Sequence, residues 1–196
     1  MEMLLNKIMR FIYQNNDIEE EKSEVIRYGL EIVITKVFFT ISIVIIGMIM
    51  NCLVESVIFA VAFTLIRQYS GGYHAETKIK CFMLSILTLV AALMIIKLIE
   101  YFPVLILPLF VISNISGIYI LCQAPVDTLN KRLDEDEIRV YGGRARAITA
   151  ILLFVAVLLL FLGLNNFVFA VLTGIIMEAY LMLKGQIQNL KSGDKQ

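Results

Sequence analysis

His74 and Cys81 are the two side chains of this sequence whose types and spacing could support nucleophilic chemistry. They lie in RQYSGGYHAETKIKC, residues 67–81, the longest polar interruption in the first two-thirds of a very apolar chain. His74 is the single histidine, and Cys81 is one of three cysteines, with Cys52 and Cys122. A cysteine attacks as thiolate, and an ordinary thiol is only slightly ionised at neutral pH. An imidazole that takes the proton and later returns it to a leaving amine would activate it. On one continuous helix a seven-residue spacing puts both groups on one face but about 10.5 Å apart along the axis, beyond hydrogen-bond reach. Pairing therefore requires His74 on a bent segment that folds back on the start of the next helix, expected at 81–99. Gly71 and Gly72 can supply the bend through positive φ. Cys81 would then sit in the first helical turn, where the helix N-terminus favours a thiolate and Lys78 and Lys80 add positive charge. From residue types alone a plainer reading stands beside this one: a solvated loop histidine, a small apolar cysteine at a helix start and an ordinary Gly-Gly turn.

The remaining chemistry-bearing residues narrow the classes. Cys52 and Cys122 have no histidine partner in sequence and read as packing residues. Three scattered cysteines argue against a disulfide framework or a CxxC site, and one histidine argues against a zinc site, so neither metal nor cofactor is expected. With 17 basic and 17 acidic residues the chain has no net charge, and no overall field points to nucleic acid.

The elements that must position the polar stretch are membrane helices. The chain is 59% hydrophobic with a mean hydropathy of +0.83, well above an ordinary soluble domain. Apolar runs lie at 32–52, 54–66, 82–99, 102–122, 147–164 and 166–183. A spanning helix needs about 20 apolar residues. Five runs meet or approach that length. The 13-residue run at 54–66 is either a short span completed by Arg67 and Tyr69 at the interface or a re-entrant segment; six spans is the simpler topology. Ahead of them, residues 1–13 place Leu4, Leu5, Ile8, Phe11 and Ile12 on one helical face, the pattern of a helix in the interface plane or packed on the protein's own core. Asp17 and Glu20 suggest a capping box opening a charged helix over 17–30 that runs into the first span. The acidic stretch that follows the N-terminus, and the lack of a small-residue cleavage site, argue against a removable signal peptide.

If all six runs cross, both termini and the connectors 67–81 and 123–146 share one side. That side carries nearly all the lysines and arginines, including Lys131, Arg132, Arg139, Arg144 and Arg146. By the positive-inside rule it faces the cytoplasm. The fold class expected is therefore all-α, a polytopic bundle of about six transmembrane helices in a single integral membrane domain over 1–196. Amphipathic and charged helices at 1–30 lead into the bundle at 31–184, and a cytoplasmic tail follows at 185–196. A second glycine pair, in YGGRARA at 141–147, echoes SGGYHA at 70–75, and chance explains the echo better than a repeat does.

RQYSGGYHAETKIKC resembles the signature of the accessory gene regulator B family of membrane cysteine peptidases: an arginine, a Gly-Gly-x-His-Ala core and a cysteine seven residues after the histidine. APVDTLNK, 124–131, resembles the family's second element, Ala-Pro-Val followed by Asn-Lys; Arg132 stands where the family commonly has a proline. The resemblance covers essentially the whole chain. It implies Cys81 as nucleophile and His74 as general base and acid. It implies cleavage of the C-terminal tail from a quorum-sensing propeptide and closure of a thiolactone ring. The substrate implied has an amphipathic N-terminal helix, an internal cysteine and an acidic C-terminal tail. The protein would be a homodimer in the bacterial cytoplasmic membrane, with lipid as its other partner. Arg67 matches the family's arginine and would hold a substrate carboxylate or brace the loop. Gly71 and Gly72 would shape the turn, and Gln68 or the amides of 70–72 would face the oxyanion. Glu76 and Asp127 are possible orienters of His74. Lys131 and Arg132 would attract an acidic tail. The rivals from other classes are a small peptide transporter or exporter, for which Lys36, Glu55, Lys97 and Glu178 lie too near the ends of the runs, and a membrane scaffold without chemistry.

Overall fold

The computed structural model describes residues 2–15, 20–73, 77–127 and 133–193, so His74, Glu76, Lys131, Arg132 and Asp17 lie outside the described residues. All regular structure among those described is helical. In chain order there are α1 (Glu2–Asn15), α2 (Glu20–Ile49), α3 (Leu53–Ser70), α4 (Lys78–Tyr101), a 3₁₀ turn (Pro103–Leu105), α5 (Ile106–Gln123), α6 (Glu135–Phe161) and α7 (Asn165–Gly193). Six helical segments are long and apolar enough to cross a membrane, in α2, α3, α4, the stretch 103–123, α6 and α7. The fold is that of an all-α, multi-pass membrane protein.

The chain divides into two compact units, 1–42 and 43–196. In the first, Leu5 and Met9 of α1 are buried with Ile34 of α2, and Ile8, Ile26 and Leu30 pack around them. These positions recur at helical spacing on both helices, so the apolar face of α1 is spent on α2. The charged segment and the first apolar run form one helix, α2, as its sequence suggested.

In the second unit α7 is the central helix. Two-thirds of its span (67%) is buried, against 17 to 39% for the other candidate spans. It packs against α3, α4, α5 and α6. Lipid is as apolar as leucine, so close backbone approach rather than burial from water holds such helices together. Gly174 shows it: a Cβ there would lie 3.2 Å from the Ala62 methyl and 3.3 Å from the Phe63 nitrogen of α3.

Three element boundaries bear on the polar stretches. Helix α3 extends the short 54–66 run through Arg67 to Ser70, about 27 Å at 1.5 Å per residue, long enough to span. Helix α4 begins at Lys78 instead of Cys81, because the Thr77 side chain caps it by accepting the Lys80 amide (3.3 Å). Helix α6 begins at Glu135, twelve residues before its apolar run, because Asp134 and Glu137 form a capping box. Arg139, Arg144 and Arg146 therefore stand on a helix and not in a connecting loop.

Candidate active site

The candidate site is built at the end of α3. Gly71 has φ 72° and ψ −144°, and Gly72 has φ 106°, conformations that residues with a Cβ avoid. They stop α3 and turn its exit back across the bundle. The Gly72 amide donates to the Val126 carbonyl (3.2 Å), and the Val126 amide donates to the Ser70 carbonyl (2.8 Å), forming a parallel bridge. The two motif stretches, 67–81 and 124–131, thus meet through their backbones just after α3 and α5.

The same turn rests on α7. The Tyr73 amide donates to the Leu181 carbonyl (3.0 Å). A Cβ on Gly72 would lie 2.9 Å from the Met182 Cα, and one on Gly185 would lie 2.6 Å from the Gly72 carbonyl carbon and the Tyr73 nitrogen. Both glycines are there for closeness. Lys184 covers the Tyr73 ring from 4.1 Å, a cation–π contact at the turn's outer edge.

Arg67, in the last turn of α3, reaches into this turn. Its Nη1 donates to the Gly71 carbonyl (2.6 Å) and its Nη2 to the Tyr73 carbonyl. Nη1 also faces Glu178 Oε1 of α7 at 3.5 Å, and the Ser70 hydroxyl donates to that same oxygen. Glu178 has no solvent exposure, while the Arg67 side chain keeps 18%. With both terminal nitrogens committed to protein acceptors, Arg67 acts as the brace of the turn, and a substrate carboxylate would have to displace those contacts.

The other candidate residues fall as follows. Cys81 is a half-buried free thiol on α4. It is the fourth residue of its helix, so its own amide is already bonded to the Thr77 carbonyl (2.9 Å) and its carbonyl accepts from the Ser85 hydroxyl (3.0 Å). The amide just before it, that of Lys80, is taken by the Thr77 side chain. Gln68 is exposed and donates to the Tyr69 hydroxyl (3.3 Å), apart from the Arg67 network. The Gly72 amide is spent on Val126 and is no free oxyanion donor. The Asp127 carbonyl accepts from Asn189 of α7 (2.8 Å). On α6, Arg144 lies over the Tyr69 ring (5.4 Å) and Arg146 donates to the Leu121 carbonyl near the end of α5 (3.1 Å). Cys52 is 2% exposed, and burial pushes its thiol up, away from reactivity. No group of three potential metal ligands occurs among the described residues.

Sequence reasoning gave neither Glu178 nor the Ser70 side chain a part in the site, and it missed Gly185. It placed Glu178 near the end of an apolar run, a position that weakened the transport reading. The structure puts it inside the bundle, paired across to Arg67 and Ser70 of α3. The available signal was an ionisable residue within a spanning run, which is a functional candidate by default.

Comparison with known proteins bears on the family of the chain. The family model for accessory gene regulator B matches residues 5–182. An AgrB-like protein 2 of Clostridium perfringens strain 13 is 30% identical over 154 residues, covering 76% of this chain and 72% of the relative. An AgrB-like protein of C. perfringens strain SM101 is 28% identical over 171 residues, covering 84% and 79%. Both relatives carry provisional names. No solved structure matches the chain.

Proposed function

The chain belongs to the accessory gene regulator B family, and from that premise we propose that it is a cysteine endopeptidase that trims and cyclises a quorum-sensing propeptide. Membership supports the broader role in accessory-gene-regulator peptide processing. The chemistry proposed is finer. Cys81 Sγ attacks the carbonyl carbon of the peptide bond before the tail. The C–N bond breaks, and His74, carrying the thiol proton, gives it to the leaving amine. The acyl group is now a thioester on Cys81. The propeptide's own cysteine, deprotonated by His74, attacks that thioester, closes a thiolactone and returns the Cys81 thiol. Exchange between two thioesters is nearly balanced, whereas release from an amide is uphill, so removal of the tail must help drive the sequence. A site recessed at the membrane surface would keep water from the acyl-enzyme.

The observation that best supports this reading is the bridge between Gly71 and Val126, which joins the two stretches that carry the family resemblance. In the proposed topology the termini and the site face the cytoplasm, where the lysines and arginines concentrate, and the protein works as a homodimer. Lys131 and Arg132 would draw in an acidic tail; reversing both to Glu should weaken processing, and unchanged processing would remove that role.

The decisive test is mass spectrometry of cells expressing the protein with a short propeptide encoded beside it. Wild type should yield the tail fragment and a core peptide lighter by one water than its linear form. Cys81→Ala should yield neither. Equal processing by Cys81→Ala would rule out the cysteine mechanism.

A further inference from the structure

Among the described residues Glu178 is the one charged side chain with no exposure, and the chemistry above does not use it. It is held at one oxygen, Oε1, by groups 108 and 111 positions away in sequence, the Ser70 hydroxyl and the Arg67 guanidinium. Arg67 in turn donates to the carbonyls of Gly71 and Tyr73. The Tyr73 carbonyl belongs to the peptide group whose nitrogen is that of His74. A chain of contacts therefore runs from the middle of α7, through one guanidinium, to the peptide bond from which His74 departs.

A buried ion pair adds little net stability, because desolvation offsets the attraction, so the pair is better explained by what it orients. Arg67 sits in the last turn of α3 with part of its side chain exposed, and a long cationic side chain there can snorkel outward to water and headgroups. Glu178 keeps the guanidinium turned inward, with its planar fork spanning two carbonyls. A lysine, with a compact ammonium, cannot span both. Glu178, Leu181, Met182 and Gly185 recur at helical spacing, so the carboxylate and the α7 residues that meet the turn's backbone fall on one stripe.

We propose that Glu178 is a positioning residue of the site, acting through Arg67 to set the backbone that enters His74. The inference rests on the peptidase reading. The test compares wild type with Glu178→Gln in membranes, with Cys81→Ala and His74→Ala as references. Two readouts are taken: propeptide cleavage kinetics, and alkylation of Cys81 by iodoacetamide across pH, read at that residue by peptide mass spectrometry. The expected result is a fall in kcat of about 10²-fold with KM little changed, the loss typical of a misplaced catalytic group. The Cys81 alkylation profile should move to that of His74→Ala. A merely structural role would lower the amount of folded protein and leave the profile of the folded fraction alone. Wild-type kcat and a wild-type profile in Glu178→Gln would overturn the proposal. If Glu178→Gln fails to accumulate, the double variant Arg67→Met/Glu178→Met, which leaves no uncompensated buried charge, is measured the same way. A His74→Ala-like profile supports the positioning role and a wild-type profile overturns it. A wild-type Cys81 that already titrates like His74→Ala and makes no product would instead overturn the peptidase reading itself.

Discussion

Gly71–Gly72 and Gly142–Gly143 are the same dipeptide in two polar stretches of similar composition, yet the structure uses them differently. The first pair lies outside helical conformation, with φ of 72° and 106°, and ends α3. The second continues α6 as ordinary helix. There Gly142 meets the other motif stretch: a Cβ would lie 3.0 Å from Pro125 Cδ and 3.1 Å from the Ala124 carbonyl oxygen, while Gly143 faces open space. One pair bends the chain so that it can lie on α7 and beside Val126. The other thins a helix so that the segment after α5 can lie on α6. Glycine therefore serves the site in two ways, by conformation in one region and by clearance in the other.

Substitutions graded by these roles break or sharpen the contrast. Gly71→Ala should be the most damaging, since its φ and ψ fall in a region essentially reserved for glycine, costing about 1–3 kcal/mol, and its methyl would overlap the Val126 carbonyl. Thermal unfolding in detergent should show the loss and propeptide processing should cease; a functional Gly71→Ala would mean that the bridge to Val126 is dispensable. Gly185→Ala comes next. Its backbone is plain helix, but its methyl meets the Gly72–Tyr73 peptide at 2.6 Å, and overpacking of this kind costs about 1–3 kcal/mol. Here processing should fall further than thermal stability, because the turn can lift off α7 while the bundle stays packed. Gly142→Ala should change stability by less than about 1 kcal/mol, the gain in helix propensity offsetting tight contacts at Ala124 and Pro125, with a modest drop in product formation. Gly143→Ala should be neutral or stabilising by up to about 1 kcal/mol, with processing intact. If Gly142 and Gly143 proved equally tolerant, clearance at Pro125 would not matter to the site.

The contrast also marks what could be read in advance. SGGYHA and YGGRARA gave no local cue to separate them beyond their flanks. In the second, Asp134 with Glu137 three residues later nucleates a helix that carries through the glycines, a capping box legible in the sequence but not weighed there. In the first, a helix runs up to the pair and the glycines end it by taking the expected positive φ. The start of α4 was expected three residues late for a similar reason, since Thr77 caps the helix at Lys78 and makes Cys81 its fourth residue. His74 and Cys81 themselves stood out because each is chemically distinctive against an apolar chain.

The amino-acid sequence by itself determined the class and the span pattern of this protein. A bilayer accepts only segments that satisfy their own backbone hydrogen bonds over about 20 apolar residues, and such segments are visible as runs. It also determined the capping and glycine signals that end helices, because these act within a few residues. Only the tertiary structure decided which faces of the spans turn inward. A helix that meets lipid on one side and protein on the other is apolar all round, so its periodicity carries little record of its neighbours. That is why the meeting of Gly71 with Val126, and the reach of Glu178 across more than 100 positions to Arg67 and Ser70, emerged only when α7 was seen packed at the centre of the bundle.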